Sequence, residues 1–437
     1  MGSYFKTYED DIFFFLPMTS PDRAKTREAL LRDKKNRTYK SEGREDATFG
    51  EAYCDAITNH CLYECNNTVF KQLTRTHLGT FKLACYDDNY DGTVIDTEEI
   101  ELFVTSHYRT GIYIVTVVCP DNHYIPTQLI DQMSTNHLAI EDPESGEFVS
   151  VASYMNKRYF LESCGEAKCV ICMSNPPEDR TELGYLLAGE TCASEHVDYK
   201  ILPHRIDALL HNHACYDYYD SYISRSVIAF IFKDYPDDIL ERLETEASEI
   251  FIVEIVMFQN TAVMRTNNRV IEELGANEGI TNTEIEELYI EFGQTMKFWS
   301  SNIFKYTFAQ KEADEIISAF EIQKTLDEYY RNQEFLDRLV ELKSNIADQK
   351  SDAQMNVLLF VLSCFEGCSI SLAGILCLLG WMMPSTSPYY PFVEGLTSVL
   401  WVTFFFSSAI FLFFLISGKI VRKKKNRRAK KEKRKCR

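Results

Sequence analysis

Two long apolar runs near the carboxyl end constrain this chain more than any other feature of its sequence. From residue 355 to 417 the only charged side chains are Glu366 and Glu394. The first run, 355–383, and the second, 396–417, each exceed the roughly 20 residues that a helix needs to cross a hydrocarbon core. We therefore expect two transmembrane helices in these runs.

The residues around the two runs predict their orientation. The connecting segment, 384–395, carries three prolines and two adjacent tyrosines, which favour a short external loop with interfacial aromatic side chains. The tail, 418–437, holds 13 of the 46 Lys and Arg residues and one acid. Because basic residues beside membrane helices stay in the cytoplasm, we expect a multi-pass protein of the inner (plasma) membrane with both termini cytoplasmic.

The formal net charge of −19 divides into two opposite parts. Without the 13 basic residues and the single acid of the tail, the 46 basic and 65 acidic residues of the chain fall to 33 and 64. The strongly acidic charge of the cytosolic part argues against direct nucleic-acid binding. Contact with the lipid bilayer is sufficient to explain the basic tail. No secretory signal precedes the short apolar run at 12–16, so we expect the amino-terminal part to stay in the cytosol with its cysteines reduced.

The pattern before the membrane predicts two cytosolic sections. Segments rich in β-branched and aromatic residues alternate with short helical patterns over 1–235, which indicates an α/β domain. Long helical patterns dominate 236–354, first over 237–274 and again from about Lys311 into the first span. The expected fold is thus an α/β cytosolic domain, then long stalk helices, then a two-helix carboxyl-terminal transmembrane hairpin.

The first span carries its small and polar residues on one face. At 100° per residue most of these positions fall within about 40° of one another, with the single acid at the edge. Two interpretations stay open: a pore lined by several copies of the helix, or close helix packing through small residues. A two-span chain with a buried acid has to oligomerise or find a partner for that acid, so we expect a homo-oligomer. The pore-lining candidates are Asn356, Ser363, Glu366, Gly367 and Gly374.

A twelve-residue segment from 87 to 98 matches the pattern of a calcium-binding loop. Side-chain oxygens occur at four of the ligand positions, a backbone carbonyl at the fifth, and Gly92 at the turn. Alternating residues on both sides equally favour a β-hairpin turn, so both interpretations stay open. The candidate metal ligands, for a divalent cation, are Asp87, Asn89, Asp91, Thr93 and Glu98.

A basic segment interrupts the acidic domain between residues 22 and 45. Such a cluster suits a phosphate-bearing ligand, although a solvated loop is the common alternative. The candidate ligand-binding residues are Arg23, Arg27, Arg32, Lys34, Lys35 and Arg37.

Other motifs favour neither catalysis nor zinc. Cys169 and Cys172 form one close pair, but an alternating strand pattern puts them on opposite faces, as buried thiols rather than zinc ligands. The chain has no glycine-rich phosphate loop, nucleophile elbow or HExxH motif. We therefore expect a protein that is not an enzyme.

The order of these segments resembles the plan of the CorA family: an acidic cytosolic α/β domain, long helices, a stalk continuous with the first span, a short outer loop, a second span and a basic tail. CorA-family magnesium transporters carry Gly-Met-Asn at the outer end of the first span. In this sequence the matching place, 380–384, reads Gly-Trp-Met-Met-Pro and lacks the asparagine.

This sequence is more similar to the CRISPR-associated CorA-like effectors, which also lack that signature. The resemblance implies a pentameric homo-oligomer that binds a nucleotide second messenger, an S-adenosylmethionine–AMP conjugate, and causes membrane disruption or ion leak in type III antiviral defence. The alternatives are a divalent metal cation transporter of the magnesium, cobalt or nickel type, and a non-conducting membrane scaffold or calcium sensor.

Overall fold

The computed structural model divides the chain into two compact units, 1–336 and 337–437. It describes residues 10–32, 50, 52–54, 68–86, 94–122, 138–176, 180–189, 201–275, 281–299 and 303–382, together with 384, 386, 388–389, 391–406 and 408–409.

A single sheet of ten strands organises the described part of the first unit. The strands run in the spatial order β6-β5-β2-β3-β4-β1-β8-β10-β9, with β7 paired to β1, and only β8 and β10 pair in parallel. Their bounds are β1 Asp10–Thr19, β2 Thr74–Tyr86, β3 Val94–His107, β4 Ile112–Asn122, β5 Ala139–Glu141, β6 Phe148–Ser150, β7 Glu162–Ser163, β8 Lys168–Met173, β9 Tyr219–Ile223 and β10 Val227–Phe232.

Helices cover the sheet and continue into the second unit. We number the described ones in chain order. Their bounds are α1 Arg23–Arg32, α2 Val151–Tyr159, α3 Arg180–Ala188, α4 Pro203–Leu209, α5 Ile239–Gly275, α6 Asn282–Thr295, α7 Thr307–Ala319, α8 Ile322–Met382 and the apolar helix α9 Pro391–Phe406.

Both faces of the sheet are buried, which explains why β1 is apolar at nearly every position. Phe13 and Phe15 point to the face that α5 covers, and Ile12 and Phe14 point to the opposite face. Side chains of α1, α2 and α3 pack on that second face. The α/β architecture expected for the amino-terminal domain is the one observed.

α5 is the central helix of the first unit. Residues Leu240–Glu273 form the one helix among the described residues that is both long and apolar enough to cross a membrane, with a mean hydropathy of 1.3. The most apolar part of α5 is 83% buried inside the protein, and the helix contacts β1 and β4. This is the behaviour of a core helix.

The boundary between the units differs from the one that the sequence predicts. The long helix expected at 237–274 is present as α5, but it shares one core with the sheet and with α7. The first unit therefore extends to Leu336, well past the predicted limit at 235.

The helix expected from about Lys311 into the first span is two helices. α7 ends at Ala319, Glu321 adopts a left-handed conformation with φ of 56°, and α8 begins at Ile322. Phe320 and Ile322, on either side of this break, are both buried in the core under α5. A straight helix would not carry both side chains into that core, because positions two residues apart differ by about 200° around its axis.

In the second unit, α8 is helical as far as Met382 and α9 begins at Pro391. Residues 391–395, predicted as loop, therefore belong to α9. Pro391 suits this position, because proline is favoured in the first turn of a helix. The shorter apolar helical stretches here are Asp352–Val361, Ile370–Met382 and Pro391–Phe406. The predicted second span continues beyond the described residues.

Candidate functional site

The predicted pore face lies on α8. Asn356 and Ser363 are exposed, and the Ser363 hydroxyl donates a hydrogen bond to the Leu359 carbonyl at 2.8 Å. No described atom lies within 4 Å of a Cβ built on Gly367 or Gly374. Within the described residues, α9 therefore does not pack on this small face. Glu366 lies in the same helix.

Large apolar side chains in the second unit are exposed to an unusual degree. The exposed fraction is 70% for Phe360, 87% for Trp381 and 70% for Phe406. Soluble proteins rarely leave contiguous apolar surface of this kind uncovered.

The calcium-loop pattern coincides with a β-hairpin. β2 and β3 pair antiparallel, and Tyr86 faces Val94 across the connection. Glu98 lies within β3 opposite Leu83, whereas the last ligand of a calcium loop usually begins a helix. Asp87, Asn89, Asp91 and Thr93 lie outside the described residues, and calcium binding stays a prediction.

The cysteine pair has the arrangement predicted for it. Both thiols lie in β8, Cys169 toward one core and Cys172 toward the other, and burial raises the pKa of each well above its usual range. Among the described residues, no group of three or more His, Cys, Asp or Glu side chains is placed to hold a metal ion.

Only the first part of the basic segment lies within the described residues. Arg23, Arg27 and Arg32 lie on α1 and are exposed, and Lys34, Lys35 and Arg37 lie outside the described residues. Arg23 reaches the turn between β3 and β4, where its guanidinium donates to the carbonyl of Arg109 at 2.7 Å. Arg27 lies over the ring of Tyr108 in the same turn, 5.4 Å from its centroid.

A third element brings another guanidinium to the same turn. Arg265 of α5 donates to the carbonyl of Thr110, the residue that follows Arg109. Gly111 completes the turn with φ of +71°, and a Cβ built there would approach the Arg23 side chain to 2.9 Å. We call Arg23, Arg109 and Arg265 the turn cluster. Sequence reasoning found Arg23 and missed the other two, since Arg109 and Arg265 are distant from the basic segment.

The positive charge of the turn cluster affects the pKa values of neighbouring groups. Burial lowers the pKa of His107 to about 4, and the charges of Arg109 and Arg23 act in the same direction. Burial also lowers the pKa of Arg265, and the nearby Arg23 acts in the same sense. The three guanidinium groups therefore create a local excess of positive charge in an acidic domain, which is the electrostatic requirement for binding an anion.

The turn cluster is connected to α8 by a short series of contacts. Arg265 Nε lies 3.5 Å from Glu291 Oε1, and Glu291 also accepts a hydrogen bond from Arg269 at 2.6 Å. The next residue of α6, Phe292, accepts a hydrogen bond through its carbonyl from the buried Tyr329 hydroxyl of α8 at 3.0 Å. α6 thus contacts both the turn cluster, through Glu291, and α8, through Phe292.

Two buried charged networks hold α5 on the sheet, and no sequence pattern indicated either of them. In the first, Arg75 pairs with Glu254, lies 3.8 Å from the Tyr53 ring centroid and donates to Thr105 at 3.1 Å. The side chains of Arg75 and Glu254 are 2% and 0% exposed. Full pairing explains why both ions are tolerated in the core.

The second network lies where β1 begins and β8 ends. Arg242 lies 3.5 Å from Asp11, and the Tyr235 hydroxyl donates to Glu246. Burial raises the pKa of Glu246 well above its usual range, and the charge of Asp11 adds to this effect. Both networks link helix to sheet, so we interpret them as structural.

No family model, curated protein or solved structure matches this chain.

Proposed function

We propose that this chain is a membrane effector of type III CRISPR antiviral defence, a homo-oligomeric channel that a nucleotide second messenger of the S-adenosylmethionine–AMP type opens. The messenger binds the cytosolic sheet unit, and the response is ion leak or membrane disruption. The transmembrane hairpin, the plasma-membrane location and the five-fold assembly belong to the same proposal.

The continuity of α8 carries this proposal. In the first unit, Tyr329 and Leu336 of α8 are fully buried among residues of α5 and α6. From Met355 onward the same helix presents exposed apolar side chains, in the run that the sequence predicts as the first span. A movement at the sheet unit would therefore be transmitted along one helix to the residues that we assign to the bilayer.

The face of α8 that carries small and polar residues supports the proposed homo-oligomer, since no described residue packs on it. Asn356 and Ser363 are exposed, and nothing described packs on Gly367 or Gly374. In an assembly of several copies, these residues would surround a common axis and let water enter between the helices.

Flux from proteoliposomes tests the proposal. The full chain is reconstituted, the S-adenosylmethionine–AMP conjugate is added to the side of the cytosolic unit, and release of K⁺ and of a small dye is followed. Asn356→Ala should change the conductance, whereas the matched control Val357→Ala, one position away on the same helix, should not.

The outcomes separate the candidate functions. Nucleotide-dependent leak supports the effector. Uptake of Mg²⁺, Co²⁺ or Ni²⁺ that is independent of nucleotide would replace it with the divalent cation transporter. A complete absence of flux under every condition would overturn both and leave the non-conducting scaffold.

A further inference from the structure

We propose that the turn cluster binds a phosphoryl group of a nucleotide, with Arg23 and Arg109 as the primary contacts and Arg265 as a contact shared with Glu291. The site itself stands on the geometry of the first unit. Its role as the receptor site for the messenger rests on the proposed function.

The two exposed arginines of the turn have no counter-charge close to them within the described residues. Among the described residues, neither Arg23 nor Arg109 has a carboxylate within 4.0 Å, although acids greatly outnumber bases in this part of the chain. Asp22, the acid beside Arg23, caps α1 by accepting from the backbone of Ala24 and Lys25, and it pairs with the Lys25 ammonium at 3.4 Å. Within the described residues this exposed pair of arginines has no acidic partner, which leaves it available for an external anion.

The backbone of the turn fixes the guanidinium groups of Arg23 and Arg265 in place. Arg23 and Arg265, from α1 and α5, donate to the carbonyls of two consecutive residues, Arg109 and Thr110. Gly111 leaves the space through which Arg23 passes, since a side chain there would collide with it. A guanidinium held in this way loses little further conformational entropy when it binds a phosphate, and its planar fork matches two phosphoryl oxygens.

The same turn also offers a surface for the rest of the ligand. Arg27 covers the half-buried ring of Tyr108, which in turn meets Tyr113 edge to face at 6.2 Å. Guanidinium planes and aromatic rings are the surfaces on which proteins stack nucleobases. The turn therefore offers phosphate contacts and a stacking surface together, which favours a nucleotide over inorganic phosphate.

Calorimetry on the full chain in detergent tests this site. The probes are AMP, adenosine, inorganic phosphate and the S-adenosylmethionine–AMP conjugate. We expect AMP and the conjugate to bind more tightly than phosphate, and adenosine to bind at least roughly tenfold more weakly than AMP, since a charge-assisted hydrogen bond is lost.

Variants of the two primary arginines, with one control, test the residues. Arg23→Gln and Arg109→Gln should each weaken AMP and conjugate binding by roughly 10- to 100-fold. Arg23→Lys should recover part of the loss, because it restores the charge without the planar fork. Arg180→Gln, which removes an exposed arginine of α3, is the matched control and should bind as the original chain does. Thermal melts establish that each variant is folded.

Several results would overturn the site. These are equal binding of AMP and adenosine, no binding of any probe by the original chain, or unchanged affinity in a folded Arg23→Gln, Arg109→Gln double variant. If the double variant still leaks in response to the conjugate, the site is wrong and the proposed function survives. If AMP binding depends on both arginines but no flux occurs, the site is correct and the proposed function is wrong.

Discussion

At the scale of the residue, the Arg75–Glu254 ion pair is buried in the sheet unit, so the stability of each charge depends on its partner. Removing one member of a fully buried ion pair leaves the other charged and unsolvated, which typically costs about 3–5 kcal/mol. Arg75→Met should therefore lower the free energy of unfolding by about 3–5 kcal/mol, as measured by denaturant titration of the full chain in detergent.

The double variant Arg75→Met, Glu254→Leu is the control for this prediction. It removes both charges and should recover much of the lost stability, since well-packed apolar residues often replace a buried pair without cost. Equal losses in the single and double variants would show that shape, rather than the uncompensated charge, determines the effect.

His107 gives a pH dependence whose sign follows from its burial. In the unfolded chain a histidine binds its proton near pH 6.5, but folded His107 has a pKa of about 4. Between these values the unfolded state holds more protons, so the folded state loses stability as the pH falls, by at most about 3 kcal/mol at pH 4. This loss is absent above pH 6.5.

The variant His107→Gln isolates that contribution. The difference in unfolding free energy between it and the original chain should change between pH 6.5 and 4 and be constant above pH 7. Because other buried groups such as Glu246 titrate in both proteins, the difference cancels their effect. A difference that does not vary with pH would contradict the assignment.

At the scale of the element, α6 lies between the turn cluster and α8. Glu291 competes with any bound anion for Arg265, and Tyr329 attaches α8 to the adjacent Phe292 carbonyl. Glu291→Gln should therefore strengthen AMP binding by about fivefold or more, the opposite direction from Arg23→Gln. Calorimetry measures this change, and weaker binding in a folded Glu291→Gln would show that Glu291 supports the site instead of competing for it.

Tyr329→Phe tests the link from α6 to α8. Loss of its hydrogen bond should reduce stability by about 1 kcal/mol and leave AMP affinity unchanged, because the residue is remote from the turn. If α6 carries the response to α8, nucleotide-dependent flux in proteoliposomes should fall at the same time. Normal flux in this variant would place the coupling elsewhere.

The elements also show what the sequence could predict. Periodicity predicted the position of α5 to within a few residues, because an apolar stretch with no glycine or proline has few alternatives to a helix. Its packing in the sheet core depends on Arg75 and Asp11, which come from strands far away in the chain, and no local pattern contains that information. The break at Glu321 was missed for a similar reason, since no glycine marks it and the buried positions on both sides impose it.

The candidate site was predictable in part. A run of basic residues identified Arg23 and Arg27, because consecutive charges in an acidic domain are visible without a structure. Arg109 and Arg265 are single arginines in separate elements, and only the folded turn brings them to Arg23. The Lys34, Lys35 and Arg37 part of the run stays a prediction.

At the scale of the whole molecule, charge and hydropathy together predict the topology. The tail holds 13 basic residues directly after the second predicted span, and the segment between the spans has one charge, Glu394. If the tail sets the orientation, the connecting segment faces outward and both termini stay in the cytoplasm.

Thiol labelling of intact spheroplasts tests this topology. A membrane-impermeant maleimide should label Thr386→Cys in the connecting segment from outside, whereas the native Cys436 of the tail should react only after lysis. The comparison uses a background in which the other cysteines are replaced, with Cys436 alone as the matched control.

Replacing the basic residues of the tail with glutamine should shift part of the population to the inverted orientation, because the electrostatic bias is lost. Cys436 would then become reactive in a fraction of intact spheroplasts. Labelling of Cys436 from outside in the unmodified chain would reverse the assigned orientation. Equal reactivity of both positions only after lysis would mean that 355–417 does not form a spanning hairpin, and the exposed apolar surface would then have to be covered by other copies of the chain.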